Sequence, residues 1–440
     1  MSPFSIDVAA RLPGPESLRQ RRIAAAERLV ALPWPTSDDR VWHYSRIAEL
    51  DPERYAPAGA DSASSVAATG ALAPEQLPYV PAARCGLLVT VDGALVHQAV
   101  DPRLVVGHDD AAPSPSAERA GPASAANGQW SPLAPDDVFA VANEAFAREV
   151  IVVEAPRGAV FEQPLVVVHR LVGDGLAVFP RLVVRAAPGA QLQVVEVVVG
   201  DAATLVCPVV HLNAARDARL GYLAVHDLGP RAWQIANQVA EAETQSTITS
   251  SVAAFGGDYA RLRTDCNLVG QGATANLVSL YFGDGHQMLD FRTFQDHRAP
   301  DTTSDLLFKG AVDDESHSVY TGLIRVRPSA RGTTAFQTNR NVKLSERAWA
   351  ESVPDLEIEN NDVRCSHAST VGPIDADQRF YLESRGVPSD VAERLILSGF
   401  FEDVISRLPV PALAPALRRR VAAKLGDRTP GARGGAVTVA

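Results

Sequence analysis

Cysteine is scarce in this chain: four residues in 440, at positions 85, 207, 266 and 365, far apart and with no CxxC pair. That spacing excludes a disulfide framework, so each is read as a reduced thiol and the first three as apolar core or strand residues. Long apolar runs are missing too, and none reaches the roughly twenty residues that a bilayer-crossing helix needs. The opening residues Met1 to Asp7 lack a basic segment followed by an apolar core. The expected location is therefore the cytoplasm, away from the membrane. Basic residues number 41 against 52 acidic ones, for a formal charge of −11. A general nucleic-acid binder is excluded by that balance, because phosphate affinity comes from clustered Lys and Arg. No GxxxxGK[ST], HExxH or GxSxG motif occurs, so no P-loop ATP site is expected. Gly270 and Gly272 imitate a dinucleotide loop without its third glycine and among strand-like segments.

What is present falls into textures, and the length suggests roughly three domains. Between Pro15 and Leu32, Leu18, Ala25, Leu29 and Leu32 recur at helical spacing until Pro33-Trp34-Pro35 stops the pattern. A second ordered piece is expected near Val41 to Leu50. Residues 56–74 and 108–135, rich in Ala, Ser, Gly, Pro and Asp, read as mobile loops. Between them Gly86 to Val96 reads as a β-hairpin around Asp92-Gly93. From Glu149 to Val371 short Val/Ile/Leu/Thr runs alternate with turn residues, which is strand texture. A turn-plus-strand pattern recurs at Gly158-Ala159, Gly189-Ala190, Asp217-Ala218, Ala260-Arg261 and Ala275-Asn276. Coils of a right-handed parallel β-helix with unequal loops would produce it. A large β-sandwich is the rival, and the shortage of two-residue hairpin turns counts against it. After Arg385 the period turns helical again, capped by Ser389 or Asp390, with Val391, Leu395, Phe400, Phe401, Val404, Ile405 and Leu408 on one side. A basic helix ends the pattern. The expected division is a helical region 1–55, a loop-rich segment with a small β element 56–148, a β-helix core 149–375, a helical domain 376–428 and a frayed tail 429–440.

Chemistry concentrates in Asp362-Val363-Arg364-Cys365-Ser366-His367. Residues i and i+2 of a strand project from one face about 6.5 to 7 Å apart, so this thiol and imidazole can reach one soft metal centre. Two ligands cannot close a tetrahedral site, and the rest must come from another chain or a cofactor. The pattern therefore predicts an interface. The competing reading makes Cys365 a buried small hydrophobe and His367 a hydrogen-bonded edge residue.

The same stretch carries Asn339-Arg340-Asn341 leading into Leu344-Ser345, then Pro354-Asp355-Leu356-Glu357-Ile358 and Phe380-Tyr381-Leu382-Glu383-Ser384-Arg385-Gly386. With Arg292-Thr293, His297, Pro300, Thr303-Ser304, Lys309-Gly310 and Gly322 upstream, it resembles the SufB/SufD family of iron-sulfur cluster assembly proteins. The resemblance covers about Arg181 to Leu408 well and earlier residues more weakly. It leans to the SufD branch, since the cysteine-rich segments of SufB are missing and Trp42-His43-Tyr44 matches a SufD-like Trp-x-Tyr.

Membership would imply a parallel β-helix between helical ends, and a non-catalytic scaffold that pairs with SufB through its core and with the ATPase SufC through C-terminal helices. Leu395, Phe400, Phe401, Val404 and Ile405 would dock SufC. His367, with Cys365 beside it, would face SufB and help hold a transient iron-sulfur cluster. Alone, the chain would self-associate. Two departures stand out: Asn361 replaces an acid, and Ala368-Ser369 replaces Gly-Ala. The alternatives are a β-helix carbohydrate-active enzyme and a self-associating iron-binding carrier.

Overall fold

The computed structural model describes residues 2–59, 77–108 and 137–426. Most of the segments expected to be mobile loops, and the tail, lie outside those residues. Among the described residues the chain winds between two facing sheets, one of twelve strands (sheet I) and one of ten (sheet II). Both are parallel over most of their extent. In sheet II, Arg219 pairs with Thr247, Thr247 with Thr274, Thr274 with Thr303 and Thr303 with Thr334, so a coil takes 27 to 31 residues. Sheet I follows the same rhythm through Tyr259, Met288, His317 and Trp349. This is a parallel β-solenoid. The sheets face each other as in a sandwich, but the chain passes from one to the other within each coil.

One turn sets the rhythm. A left-handed residue recurs once per coil at Gly158, Gly189, Asp217, Gln245, Gly272, Asp301 and Gly332, with φ between 55° and 72°. Each donates its N–H to the carbonyl before the corresponding turn of the next coil: Gly189 to Arg216, Asp217 to Thr244, Gln245 to Gln271, Asp301 to Arg331. The residue that follows is small and buried: Ala190, Ala218, Ser246, Ala273, Thr302, Thr333. The Gly-Ala and Asp-Ala signals at 158, 189 and 217 are therefore true turn positions. Ala260 and Ala275 are not, because they lie inside the strands Tyr259–Leu268 and Thr274–Gly283. The pattern continues instead through Gln245 and Asp301, side chains that tolerate a left-handed backbone less readily than glycine.

The hairpin forms between Gly86–Val91 and Ala94–Val100, with Asp92 and Gly93 both at positive φ, as a type I′ turn requires. Its first strand also pairs in parallel with Leu165–Arg170, so the ladder takes in residues well before 149. Ala56 and Pro57, inside the first expected loop, pair with Leu176 and Ala177.

Helices cover the outer faces of both sheets. On sheet I sit α1 (Ile6–Arg11), α2 (Glu16–Val30) and α3 (Val138–Phe146). Leu18, Ala25 and Leu29 are buried as the spacing predicts. A mixed cluster of Phe4, Trp42, Phe139, Phe146 and Phe179 seals the contact. Seven of the nine residues of helix α3 are buried. Arg22 is fully buried in α2, where its guanidinium donates to the carbonyls of Ala147, Arg148, Leu12 and Pro13. Burial lowers its pKa to about 10.

The C-terminal helices α4 (Ala376–Ser384), α5 (Ser389–Ile405) and α6 (Ala414–Gly426) follow the last strand. Leu397, Phe401, Val404 and Ile405 of α5 pack on Leu280, Phe282 and Leu307 of sheet II, with the Phe282 and Phe401 rings stacked at 6.2 Å. Ion pairs fasten the edges: Lys309 to Asp403 at 2.8 Å, Arg420 to Asp227 at 2.9 Å and Lys424 to Asp284 at 2.7 Å. Helices α5 and α6 lie on the side of the solenoid, because the outward residues of sheet II are apolar and need cover.

Candidate functional site at the open end of the solenoid

The final coil is built from Trp349–Ile358 of sheet I and Val363–Pro373 of sheet II, each the edge of its sheet. Among the described residues no further strand pairs with either. Val363–Pro373 is exposed or half-exposed throughout, whereas its neighbour Thr333–Lys343 alternates buried and open positions. The alternation identifies the faces: Ala335, Gln337, Asn339 and Asn341 point into the lumen, while Phe336 is 42% exposed. Cys365 pairs with Ala335 and His367 with Gln337. Both side chains therefore stand on the lumen face of an edge strand, as the spacing predicts.

Their surroundings differ. Cys365 is half-buried against Ile324, Val326, Ala330 and Ala335, and burial pushes its thiol pKa up. Thiolate formation there needs a metal or a nearby cation. His367 is exposed at the mouth. Among the described residues no three His, Cys, Asp or Glu side chains gather into a set that could hold a metal ion. A soft cluster fits the pair as donors, but it needs further ligands from outside. The two departures leave the geometry intact. Asn361 is exposed beyond the strand, and Ala368 and Ser369 lie in regular strand with no left-handed torsion.

Near this mouth the lumen is lined by bonded polar groups. Tyr281 donates to Asn341 at 2.6 Å and accepts from Asn339 at 3.0 Å, and Thr293 meets Tyr320 at 2.8 Å. His297 is held between Thr302 and Ser304, and Ser304 also accepts from Gln295. In the sequence these residues look like ordinary polar strand positions.

The five candidate docking residues on α5 divide. Phe401, Val404 and Ile405 are 0%, 0% and 3% exposed, so they hold α5 on sheet II and offer no surface, contrary to the expectation. Phe400 is half-buried, with Lys309 Nζ 4.7 Å from its ring centre. Leu395 is 53% exposed. It borders a groove of about 900 Å³ between α4 and α5, lined also by Tyr381, Leu382, Ile396 and Phe400. Helix α4 buries none of its residues, and Phe380 and Tyr381 are 72% and 58% exposed. These two aromatics were missed as surface groups, although two adjacent aromatics on a short helix of otherwise polar character were a usable signal.

A family model described as "SUF system FeS cluster assembly, SufBD core domain" matches residues 169–400. An iron-sulfur cluster assembly SufBD family protein of Mycobacterium tuberculosis is 40% identical over 171 residues, 37% of this chain and 43% of that protein. The iron-sulfur cluster assembly protein SufD of Escherichia coli is 30% identical over 303 residues, 67% of this chain and 70% of that protein. SufD of Bacillus subtilis is 33% identical over 151 residues, 34% and 35% of the two chains. The match thus spans less than half of the mycobacterial relative and more than two thirds of the Escherichia coli one. With the core-domain model covering more than half of its residues, the chain belongs to the SufBD family of the SUF system for iron-sulfur cluster assembly.

Proposed function

We propose that this chain is a SufD-like, non-catalytic subunit of an iron-sulfur cluster assembly complex. It pairs with a SufB-like partner at the open end of its solenoid and engages a SufC-like ATPase through the groove between α4 and α5. The observation that carries this reading is the uncovered final coil, in which Cys365 and His367 share the lumen face of an edge strand. An unpaired edge offers a row of N–H and C=O groups to another chain. A second solenoid meeting it end to end would bring the missing ligands beside His367. The nascent cluster is cargo at that seam: the imidazole supplies a neutral nitrogen and Cys365 a thiolate once iron displaces its proton. Nucleotide hydrolysis belongs to the partner, since this chain carries no P-loop motif.

A carbohydrate-active β-helix enzyme would need a long open groove along the coils. Here helices bury much of the outer face of each sheet, which disfavours that reading.

The test is His367→Ala in the co-purified complex. Subunit stoichiometry by mass photometry is expected to stay unchanged, while bound iron and acid-labile sulfide fall at least about tenfold, since even the loss of an outer-shell partner costs that much. Unchanged iron and sulfide in an intact complex would remove the ligand role. Recovery of only self-associated chains from cells that contain SufB and SufC would favour the carrier reading.

A further inference from the structure

Among the described residues, the buried side-chain amides of the lumen other than that of Gln337 make at least one hydrogen bond, although Oε1 of Gln234 and of Gln295 has none. Gln238 donates to Ser250 at 2.6 Å, Gln295 to Ser304 at 2.8 Å, Asn339 to Tyr281 at 3.0 Å and Asn341 to Asn339 at 2.8 Å. Gln337 is 2% exposed, and neither its Nε2 nor its Oε1 has a partner. Such an atom costs about 1–3 kcal/mol when left unsatisfied, and a leucine at the same place would avoid the cost. The exception sits directly under the candidate site, because Gln337 is the ladder partner of His367 across neighbouring parallel strands.

Its amide also has a reserved space. A Cβ at Gly322, on the facing sheet, would lie 2.7 Å from Gln337 Nε2 and 2.3 Å from the Tyr320 hydroxyl. Gly322 therefore lets the amide extend across the lumen and form part of the floor of the mouth. Ser352, above Tyr320 in sheet I, is a second half-buried group at this level whose hydroxyl has no partner. The mouth thus keeps hydrogen-bonding capacity that the isolated chain does not use.

We propose that Gln337 is a positioning residue for His367 in the assembled complex: there its amide carbonyl accepts the N–H of one ring nitrogen and leaves the other nitrogen's lone pair free to meet iron. Adjacent strands are about 4.8 Å apart, within reach of a glutamine side chain to the ring stacked above it. Fixing the tautomer through the non-ligating nitrogen is how metal-binding histidines are oriented generally. This inference rests on the reading of His367 as a ligand.

The test uses the full-length chain and the assembled complex, with Gln337→Leu and the more flexible Gln337→Met. In the complex before iron is loaded, ¹⁵N shifts of the His367 ring are expected to report one dominant tautomer for the wild type and a mixture for both variants, while the free variants keep unchanged or raised melting temperatures. In the complex, iron loss to a chelator is expected to quicken roughly ten- to hundredfold. Wild-type tautomer ratios and chelation rates in both variants would overturn the positioning role while leaving His367 as ligand. If His367→Ala itself leaves iron binding intact, the underlying reading fails instead.

Discussion

Phe401→Asp is expected to detach α5 from sheet II and destabilise the chain by more than about 4 kcal/mol. Truncating a buried phenylalanine costs about 3–5 kcal/mol, and placing a carboxylate in the same pocket adds a desolvation penalty. Phe401 is fully buried and stacks on Phe282 in the apolar cluster that includes Leu397 and Ile405. Urea denaturation followed by circular dichroism should show a lower midpoint or an early transition of the C-terminal helices. Leu395→Asp is the control. At 53% exposure it should change stability by no more than about 0.5 kcal/mol, yet weaken ATPase docking in a pull-down. A Phe401→Asp chain that melts like the wild type would show that the helices do not depend on this contact.

The second large effect is loss of stability in mild acid. His226 and His297 are buried in the lumen, and burial lowers the pKa of each to about 4. His226 Nδ1 accepts from Gln234 Nε2 at 2.8 Å, and both nitrogens of His297 are engaged by hydroxyls. An unfolded histidine titrates near 6.5, so between about 6.5 and 4 the unfolded chain binds protons that the folded chain refuses. Folding free energy therefore falls as pH drops through that window, by roughly 3 kcal/mol per histidine, and is unaffected by them above it. Glu196 extends the loss at lower pH. Burial opposes its ionisation, but His169 and Tyr222 outweigh burial and hold its pKa below the usual carboxylate range. Urea midpoints measured from pH 7.5 down to 4.5 should decline, and His297→Gln, which keeps polar ends without the titration, should remove about half of the slope contributed by the pair. Equal midpoints at pH 7.5 and 5 would contradict the assignment of these histidines as neutral and buried.

Several parts of this molecule are local and were readable locally. Asp92-Gly93 between two apolar runs specifies a hairpin whichever sheet it joins, and the helical spacing of Leu18, Ala25 and Leu29 specifies a buried stripe. The i, i+2 relation of Cys365 and His367 is a property of any strand, so their shared face did not depend on the fold. The coil period was harder to read, because the left-handed turn is filled by Gln245 and Asp301 as well as by glycine. Helix α3 escaped because it is only nine residues long and follows directly on a stretch rich in Ala, Ser, Gly, Pro and Asp.

The exposure of the candidate docking residues was hard to read for a different reason. Leu395, Phe401 and Val404 belong to one apolar pattern on one helix, yet two are buried and one faces outward. Hydrophobic periodicity states that a face seeks cover; it cannot state whether the cover comes from the same chain or from a partner. Polar lumen positions pose the converse problem. Nothing in the local pattern marks Asn339, Asn341 and Gln337 as interior, and the facing sheet turns them into a buried network with one amide left over.

The amino-acid sequence by itself determined the strand-rich texture, the helical ends, the hairpin and the pairing of a thiol with an imidazole on one face, because each depends on neighbours within a few residues. The tertiary structure alone decided that no described strand follows the last coil, that α5 lays most of its apolar side on sheet II, and that an unbonded amide lies under His367. Those features depend on which distant segments meet, and packing between coils some thirty residues apart leaves no mark on the local pattern.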